Sequence, residues 1–270
     1  MLKYYHNKHC DNKYIKRNMK DIKNTAKNWA TIWDKKNNLP IVHRELIEAI
    51  TKTTETKNKK VLEIGAGLGG DLVYLAKLGG ICTAIDISKT SLKKIKQLAK
   101  KNNVQIKAVK CDAKKLIFDK ETFDIIFHQG FLEHFKNPLP LLKEQKRVLK
   151  KEGILLIDVP QRYNAYTVYK RWKLLKKEWE IPWETEYTKK HLLKMLEDAE
   201  LKPKLIYYRS IFPPGIKKIM KGEVPKRLQS KKIVNNRLSR KIILYFGKII
   251  KKNEHCPFFY QCIGVVAQKK

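Results

Sequence analysis

The sequence predicts an α/β fold built on a doubly wound, mostly parallel sheet. Three observations predict it: an apolar run followed at once by a glycine-rich turn, further apolar runs of strand length, and amphipathic segments of helical period between them. Strands that alternate with helical segments are typical of parallel sheets with helices on both faces. The chain has 270 residues, of which 43% are apolar. Such a chain can bury one large core, or a core with an additional cap.

The first predicted strand, Lys60–Ile64, leads into a glycine-rich turn and then into a helix at Asp71–Leu78. Glycine adopts positive φ angles and lets a ligand approach the backbone closely. A strand, glycine turn and helix in this order place backbone N–H groups against a nucleotide-like ligand. The turn lacks the Gly-Lys-Ser/Thr ending of an NTP-binding loop, so ATP chemistry is not expected. The glycines stand at positions 65, 67, 69 and 70.

Two ligand classes use this geometry, dinucleotides and S-adenosylmethionine, and Glu63, two residues before Gly65, distinguishes them. Its carboxylate would repel the pyrophosphate of a dinucleotide, whereas it can pair with the ammonium and sulfonium groups of S-adenosylmethionine. The spacing of Gly65, Gly67 and Gly70 still fits a dinucleotide. An NAD(P)-dependent oxidoreductase therefore remains a weaker alternative.

Polar residues lie at or just after the ends of the next predicted strands. A carboxylate at the position of Asp86 accepts hydrogen bonds from ribose hydroxyls. Alternatively, Asp86 caps the helix predicted at Leu92–Lys101, for which Ser88 is the better candidate. These strands are predicted at Ile81–Ser88, Ile106–Ala113, Phe123–Gly130 and Ile154–Val159, and two later ones at Lys202–Phe212 and Pro257–Ala267.

The segment Glu63–Gly69 resembles the first motif of class I S-adenosylmethionine-dependent methyltransferases, and the likeness continues in order over about residues 58–210. Phe131–Phe135 is similar to the Leu-Glu-His continuation that often follows the fourth strand in this family. The resemblance implies a Rossmann-like sheet of seven strands with a terminal antiparallel strand, and S-adenosylmethionine as the cofactor. It also implies that Asp112 lies beside the adenine amino group. The cofactor-binding residues that it implies are Glu63, Gly65, Ala66, Gly67, Gly69, Asp86, Ile87, Asp112, Ala113, Gln129 and Gly130.

Two histidines, His134 and His128, are candidates for the catalytic base. Methyl transfer from a sulfonium is an in-line displacement that depends mainly on positioning, but a hydroxyl acceptor must also lose a proton. Each histidine has a structural alternative: His134 could only bond to neighbouring backbone, and His128 could face the core. No Asn/Asp-Pro-Pro-Tyr/Phe motif follows the fourth strand, which disfavours methylation of a planar nucleobase amine.

Residues 1–57 are predicted to form a basic helical cap with helices at Lys16–Asp34 and Pro40–Thr51. Trp29 and Trp33 lie on one face of the first helix. They either dock that helix on the core or make it a lid over the cofactor and substrate.

The methyltransferase domain is predicted to span residues 58–270, with two insertions. The first, residues 160–189, is rich in aromatic residues and follows the fifth strand, where doubly wound sheets bind ligands. It supplies Arg162, Tyr163 and Trp183 as substrate-side candidates, although its aromatics could instead pack a surface helix.

The second insertion, residues 213–252, ends in a basic amphipathic run at 236–252. Such a helix packs on its own domain, lies on an anionic membrane as a peripheral contact, or meets a partner.

The formal net charge of +34 comes almost entirely from lysine. It indicates either a compositional habit or attraction to nucleic acid, anionic lipid or an acidic substrate. Five cysteines without a Cys-x-x-Cys pair predict reduced thiols in a cytoplasmic protein and no metal site. Neither a membrane-spanning run nor a signal peptide is expected. The oligomeric state is not determined by the sequence.

The sequence therefore predicts a methyltransferase that uses S-adenosylmethionine and acts on a small molecule, lipid precursor or glycan unit, with oxygen as the preferred acceptor. Two alternatives remain. One is methylation of RNA or protein through the basic surface, and the other is a non-catalytic binding protein that keeps the fold.

Overall fold

Seven strands form one sheet in the order β3-β2-β1-β4-β5-β7-β6. The computed structural model of the chain describes residues 40–178, 184–209, 241, 245 and 260–270. The strands are β1 (Lys60–Ile64), β2 (Ile81–Asp86), β3 (Ile106–Lys110), β4 (Phe123–Gln129), β5 (Leu149–Pro160), β6 (Leu201–Arg209) and β7 (Cys262–Lys269). Strands β1 to β5 pair in parallel.

Strand β7 runs antiparallel to β5. The amide of Gln161, just beyond β5, donates to the carbonyl of Gln261, just before β7. At the other end, Lys269 Nζ reaches the carbonyl of Leu149, where β5 begins, at 2.7 Å. The predicted α/β class, with a mostly parallel sheet and a terminal antiparallel strand, is confirmed.

The helices begin at the polar residues that the sequence offers as caps. The side chains of Ser88, Asn164 and Thr188 each accept a hydrogen bond from the amide three residues further on, which satisfies a donor of the first helical turn. Ser88 is thus the cap of its helix, as preferred above over Asp86. The helices are α1 (Arg44–Thr53), α2 (Gly70–Lys77), α3 (Lys89–Lys101), α4 (Leu139–Val148), α5 (Ala165–Leu175) and α6 (Lys189–Asp198), with a 3₁₀ turn at Leu132–His134.

The core lies around the two central strands. Val61 and Leu62 on β1, and Ile126 and Phe127 on β4, are completely buried although neighbours along a strand point to opposite faces. A parallel sheet covered on both faces has this burial pattern.

The predicted start of the fifth strand is wrong. Strand β5 begins at Leu149 instead of Ile154, because the Lys-Glu-Gly sequence, which is also typical of a turn, forms a bulge inside the strand. Phe123 pairs with Leu149 and Ile125 with Ile154, so the register shifts between these two pairs. Glu152 adopts a positive φ of 59° in this bulge.

Smaller differences affect element boundaries near the site. Helix α1 begins at Arg44 instead of Pro40. Strand β3 ends at Lys110, so Asp112 and Ala113 lie in the loop that follows.

The chain divides into two compact units, one comprising residues 1–160, 180–206 and 264–270 and the other residues 161–179 and 207–263. In the described part of the second unit, Asn164 caps α5, and the rings of Tyr208 and Tyr260 lie 5.6 Å apart. The boundary between a cap at residues 1–57 and a domain at residues 58–270 stays a prediction.

Several predicted features lie outside the described residues. They are the helix Lys16–Asp34 with Trp29 and Trp33, Trp183, and the run 236–252 apart from positions 241 and 245. Within the described ranges, no helix combines the length and apolar character that crossing a membrane requires.

Candidate active site

The glycine bend after β1 is held against β2. Gly65, Gly67 and Gly69 adopt φ angles of 65°, 53° and 71°. The amides of Gly65 and Ala66 donate to the carbonyl of Ile85 at 2.9 and 3.2 Å. These N–H groups are therefore engaged with β2, contrary to the expectation that they face a ligand. The bend instead offers bare backbone without side chains for close approach.

Asp86 holds the bend from the end of β2. Its Oδ2 accepts hydrogen bonds from the Gly67 amide at 3.2 Å and the Ser91 hydroxyl at 2.8 Å, while its Oδ1 accepts from the Ser88 amide at 2.8 Å. Ser91 also donates to the carbonyl of Gly67. Burial raises the pKa of Asp86, although these hydrogen bonds oppose the shift.

Glu63 places a second carboxyl group beside the same bend. The residue is 6% exposed, and its Oε2 has no hydrogen-bond partner in the described part of the chain. Burial raises the pKa of Glu63 well above its ordinary value, and the charges of Asp71 and Asp86 raise it further. A bound cation would compensate this cost by stabilising the ionised carboxylate. The site therefore fits a ligand that carries an ammonium group, as S-adenosylmethionine does.

The segment before α1 contributes a contact that the sequence analysis did not identify. His43 donates its amide to Asp71 Oδ1 at 2.6 Å and places its imidazole Nδ1 2.7 Å from Asp71 Oδ2. The carbonyl of Ile41 lies directly against Gly70, where a side chain would collide with it. The segment is thereby attached to the first turn of α2, next to the glycine bend.

Phe131 covers the bend on the side of β4. A Cβ atom on Gly65 would lie 2.5 Å from Phe131 Cδ2, so the ring occupies the space that the missing side chain leaves. Phe131 also lies 4.9 Å from Phe135 and 5.5 Å from His128, measured between ring centroids. Phe131 was not among the predicted site residues, because the Leu-Glu-His element after it was the part of the segment that pointed to a role.

His134 lies in the 3₁₀ turn after β4 together with Glu133. Both side chains are buried, with 9% and 2% of their surface exposed. The amide of Thr185 donates to the carbonyl of Glu133 at 2.9 Å, which attaches the loop before α6 to this turn. One ligand atom each of Glu133, His134 and Glu184 lies within 4.8 Å of the others.

The structure contradicts a catalytic contact for His128. Its imidazole is completely buried within β4, and burial lowers the pKa of this histidine to about 4, partly opposed by Gln145 and Asp158. The ring therefore stays neutral inside the core, which is the structural alternative given for it above. His134 remains the candidate for proton transfer.

The other predicted cofactor residues follow the carboxyl ends of neighbouring strands. Asp112 is exposed and accepts from the Lys114 amide at 2.9 Å, and Gly130 adopts a φ of 62°. Because β3, β2, β1 and β4 are adjacent in the sheet, the residues after them share one edge, where doubly wound folds bind ligands. The remaining members at this edge are Ile87, Ala113 and Gln129.

The substrate-side candidates belong to the second unit or lie outside the described residues. The Arg162 guanidinium lies 5.9 Å from the ring of Tyr163, which is 67% exposed. Trp183 lies outside the described residues. A substrate role for these three residues stays a prediction.

Comparison with known proteins identifies relatives of the same kind. A family model described as a methyltransferase domain matches residues 62–157. Over 146 residues the chain is 34% identical to a ubiquinone biosynthesis O-methyltransferase of Glaesserella parasuis, covering 51% of this chain and 61% of the relative. A protein of the same name in Pelagibacter ubique is 36% identical over 101 residues, covering 37% and 42%. The chain thus spans less than two thirds of the length of these relatives.

The fold is shared with solved methyltransferase structures. A SAM-dependent methyltransferase from Aquifex aeolicus superimposes with a TM-score of 0.52 at 18% sequence identity, covering 84% of this chain and 90% of that one. This agreement extends the likeness from the matched segment to the whole sheet. Residues 62–157 form a methyltransferase domain, and the sheet around them has the fold of a SAM-dependent methyltransferase.

Proposed function

We propose that this protein transfers a methyl group from S-adenosylmethionine to an oxygen atom of a small-molecule acceptor. The observation that carries the proposal is the pair of buried carboxyl groups beside a glycine bend at the carboxyl edge of the sheet. Glu63 and Asp86 place two carboxyl groups at this edge, although the chain as a whole carries a formal charge of +34, and a bound cation would favour their ionised forms. A cationic ligand is favoured at such a point over a pyrophosphate.

Four of the cofactor residues have a proposed partner on the ligand. Glu63 receives the ammonium group and Asp86 the ribose hydroxyls, while Asp112 and the Ala113 backbone lie toward the adenine. When bound, S-adenosylmethionine supplies a methyl group on an activated sulfonium that leaves as neutral sulfur. The protein then mainly has to hold the acceptor in line, which is worth roughly 7–11 kcal/mol in well-oriented reactions.

His134 is the proposed proton acceptor for a hydroxyl substrate. It lies in the 3₁₀ turn that follows β4 and is mostly shielded from solvent, so a hydroxyl placed there would be close to both the imidazole and the methyl donor. The names of the two relatives, both O-methyltransferases of ubiquinone biosynthesis, support oxygen as the acceptor atom. The absence of the Asn/Asp-Pro-Pro-Tyr/Phe motif after β4 agrees with this choice.

Thermal unfolding tests the cofactor. S-adenosylhomocysteine should raise the melting temperature of the full chain, and NADH should not. At a ligand concentration of 100 Kd, the folded state should be stabilised by about 2.7 kcal/mol. Glu63→Gln should reduce the shift strongly, whereas Glu55→Gln, a substitution outside the site, should leave it unchanged. Stabilisation by NADH and not by S-adenosylhomocysteine would refute the proposal.

A methyl-acceptor screen tests the reaction. The purified chain is incubated with S-adenosylmethionine carrying a deuterated methyl group and with small phenols, carboxylic acids and cell extract, and labelled products are identified by mass spectrometry. Label on oxygen of a small molecule supports the proposal. Tight binding of S-adenosylhomocysteine without any labelled product would instead support a non-catalytic binding protein.

A second candidate, methylation of RNA, is favoured by one observation. A groove of about 580 Å³ between α3 and β3 is lined by five lysines. None of these lysines makes an ion pair in the described part of the chain. Such a groove attracts a polyanion. The lysines are Lys89, Lys93, Lys96, Lys100 and Lys110.

Salt dependence separates the two candidates. If RNA is the substrate, its binding should weaken steeply between low and physiological salt, and Lys93→Glu together with Lys96→Glu should weaken it further. Lys143→Glu with Lys190→Glu provides a control of equal charge elsewhere. Turnover of a small acceptor that changes with neither salt nor the groove substitutions would discard RNA.

A further inference from the structure

Within the described residues, a cluster of side chains that could hold a metal ion lies beside the proposed acceptor position, in the 3₁₀ turn and the loop attached to it. Two carboxyl groups, from Glu133 and Glu184, and the imidazole of His134 approach one another within 4.8 Å. Glu133 and His134 are buried, and Glu184 is half-buried. These side chains come from two segments of the chain, which the hydrogen bond from Thr185 to Glu133 holds together.

The spacing of these atoms is close to that of a metal site. An ion about 2.1 Å from each ligand atom in tetrahedral geometry separates the ligand atoms by about 3.4 Å. Atoms that lie within 4.8 Å of one another need only small side-chain rotations to reach that separation. Glu184, which is the most exposed of the three, is the ligand that can move.

A second observation comes from Tyr187 in the same loop. This residue is 5% exposed, and its hydroxyl has no hydrogen-bond partner in the described ranges. The hydroxyl lies close enough to Glu133 for the two groups to interact electrostatically. A buried hydroxyl is normally hydrogen-bonded, and a water molecule bound to a metal ion at this cluster would provide its partner.

We propose that Glu133, His134 and Glu184 bind a divalent cation next to the methyl-acceptor position. Two carboxylates and one imidazole suit an ion that accepts both oxygen and nitrogen ligands, such as Mn²⁺ or Zn²⁺, better than Ca²⁺ or Mg²⁺, which prefer oxygen alone. Three protein ligands leave coordination positions open. An acceptor hydroxyl could occupy one of them, since open positions distinguish catalytic from structural sites.

The cation would change the role of His134 from proton acceptor to ligand. The inference concerns binding of the ion only, so it does not depend on whether the protein transfers methyl groups. It replaces the prediction from the cysteine pattern that no metal site is present.

Electron paramagnetic resonance tests the site directly, because the signal of free Mn²⁺ is lost when the ion binds protein. The full chain, cleared of metal with a chelator, should bind one Mn²⁺, and Zn²⁺ should displace it. Glu184→Gln should weaken Mn²⁺ binding at least about tenfold. Glu186→Gln, two residues away, removes the same charge from the same loop and should have no such effect.

His134→Gln tests whether the imidazole itself coordinates the ion, which a loss of charge near the site would not reveal. Spin-echo modulation from the imidazole nitrogen should accompany Mn²⁺ bound to the natural chain and should disappear in this variant. Binding of S-adenosylhomocysteine, measured on every variant, confirms that each is folded and tests the proposed function separately. Failure to bind Mn²⁺ and Zn²⁺, or equal Mn²⁺ binding by Glu184→Gln and Glu186→Gln, would overturn the inference.

Discussion

The imidazole of His43 lies 2.7 Å from the carboxylate of Asp71, across 28 residues of sequence. Asp71 is 3% exposed and stands in the first turn of α2. The pair therefore attaches the segment before α1 to the helix that begins at the glycine bend. A carboxylate at this end of a helix is also stabilised by the helix dipole.

Replacing His43 with alanine should destabilise the fold. The substitution leaves a buried carboxylate oxygen without its partner, which costs about 1–3 kcal/mol. The free energy of unfolding, measured by urea denaturation, should fall by that amount. His191→Ala removes an exposed histidine from α6 and should change stability by less than about 0.5 kcal/mol. Equal losses in the two variants would show that the contact with Asp71 contributes nothing.

Glu63 should make the stability of the protein depend on pH. Burial, Asp71 and Asp86 raise the pKa of this carboxyl group in the folded state above its ordinary value of 4.5. Between these two values the folded state holds a proton that the unfolded chain has released, so stability falls as pH rises through this range. Glu63→Gln cannot titrate and should remove this slope.

Glu63→Gln should weaken ligand binding, although it removes the loss of stability at higher pH. A glutamine cannot pair with an ammonium group as a carboxylate does, and loss of a charged partner costs about 1.5–3 kcal/mol. Calorimetric titration with S-adenosylhomocysteine should therefore show weaker binding by a variant that is more stable at the upper end of the pH range. A variant that lost stability at all pH values would contradict the assignment of a raised pKa to Glu63.

The fold could be predicted largely from local patterns. Apolar runs with β-branched residues marked the strands, glycines marked the bend at positions 65, 67 and 69, and Ser88 marked a helix start. The bulge at Lys151–Gly153 could not be predicted, because a Lys-Glu-Gly sequence with a positive φ at Glu152 fits a turn equally well. Only the pairing of Ile154 with Ile125 distinguishes the two.

The candidate site was harder to predict because its contacts are long-range. The pair His43–Asp71 and the hydrogen bond from Thr185 to Glu133 join segments that no local pattern relates. The burial of His128 was also ambiguous, since both faces of β4 are covered and the strand shows no alternation to indicate direction.

Gly65 should not tolerate a side chain. Its φ of 65° is strained for alanine by roughly 1–2 kcal/mol, and the added Cβ would lie 2.5 Å from Phe131. Gly65→Ala should therefore lower the melting temperature more than Gly79→Ala. Gly79 also has a positive φ, 87°, but an added Cβ would come no closer than 3.2 Å to Lys57, and that nearest atom belongs to its flexible side chain.

The collision with Phe131 has its own test. If it contributes, Phe131→Leu should partly restore the stability of Gly65→Ala, although the same substitution destabilises the natural chain. A double-mutant cycle measured by thermal unfolding gives this coupling. Additive losses would mean that backbone strain alone explains the effect at Gly65.

Asp86 should recognise the ribose while it holds the glycine bend, and the two roles can be separated. Asp86→Asn keeps one carbonyl oxygen but removes the charge, so it should weaken binding of S-adenosylhomocysteine by about 1–3 kcal/mol and also lower stability. Ser91→Ala removes the hydroxyl that donates to both Asp86 and the Gly67 carbonyl. This control should lower stability with little effect on affinity.

The 2′-deoxy analogue of the ligand completes the test: the natural chain should discriminate against it, and Asp86→Asn should discriminate less. Unchanged discrimination in that variant would leave Asp86 as a support of the bend alone, because a carboxylate that contacts the hydroxyl must lose selectivity when its charge is removed.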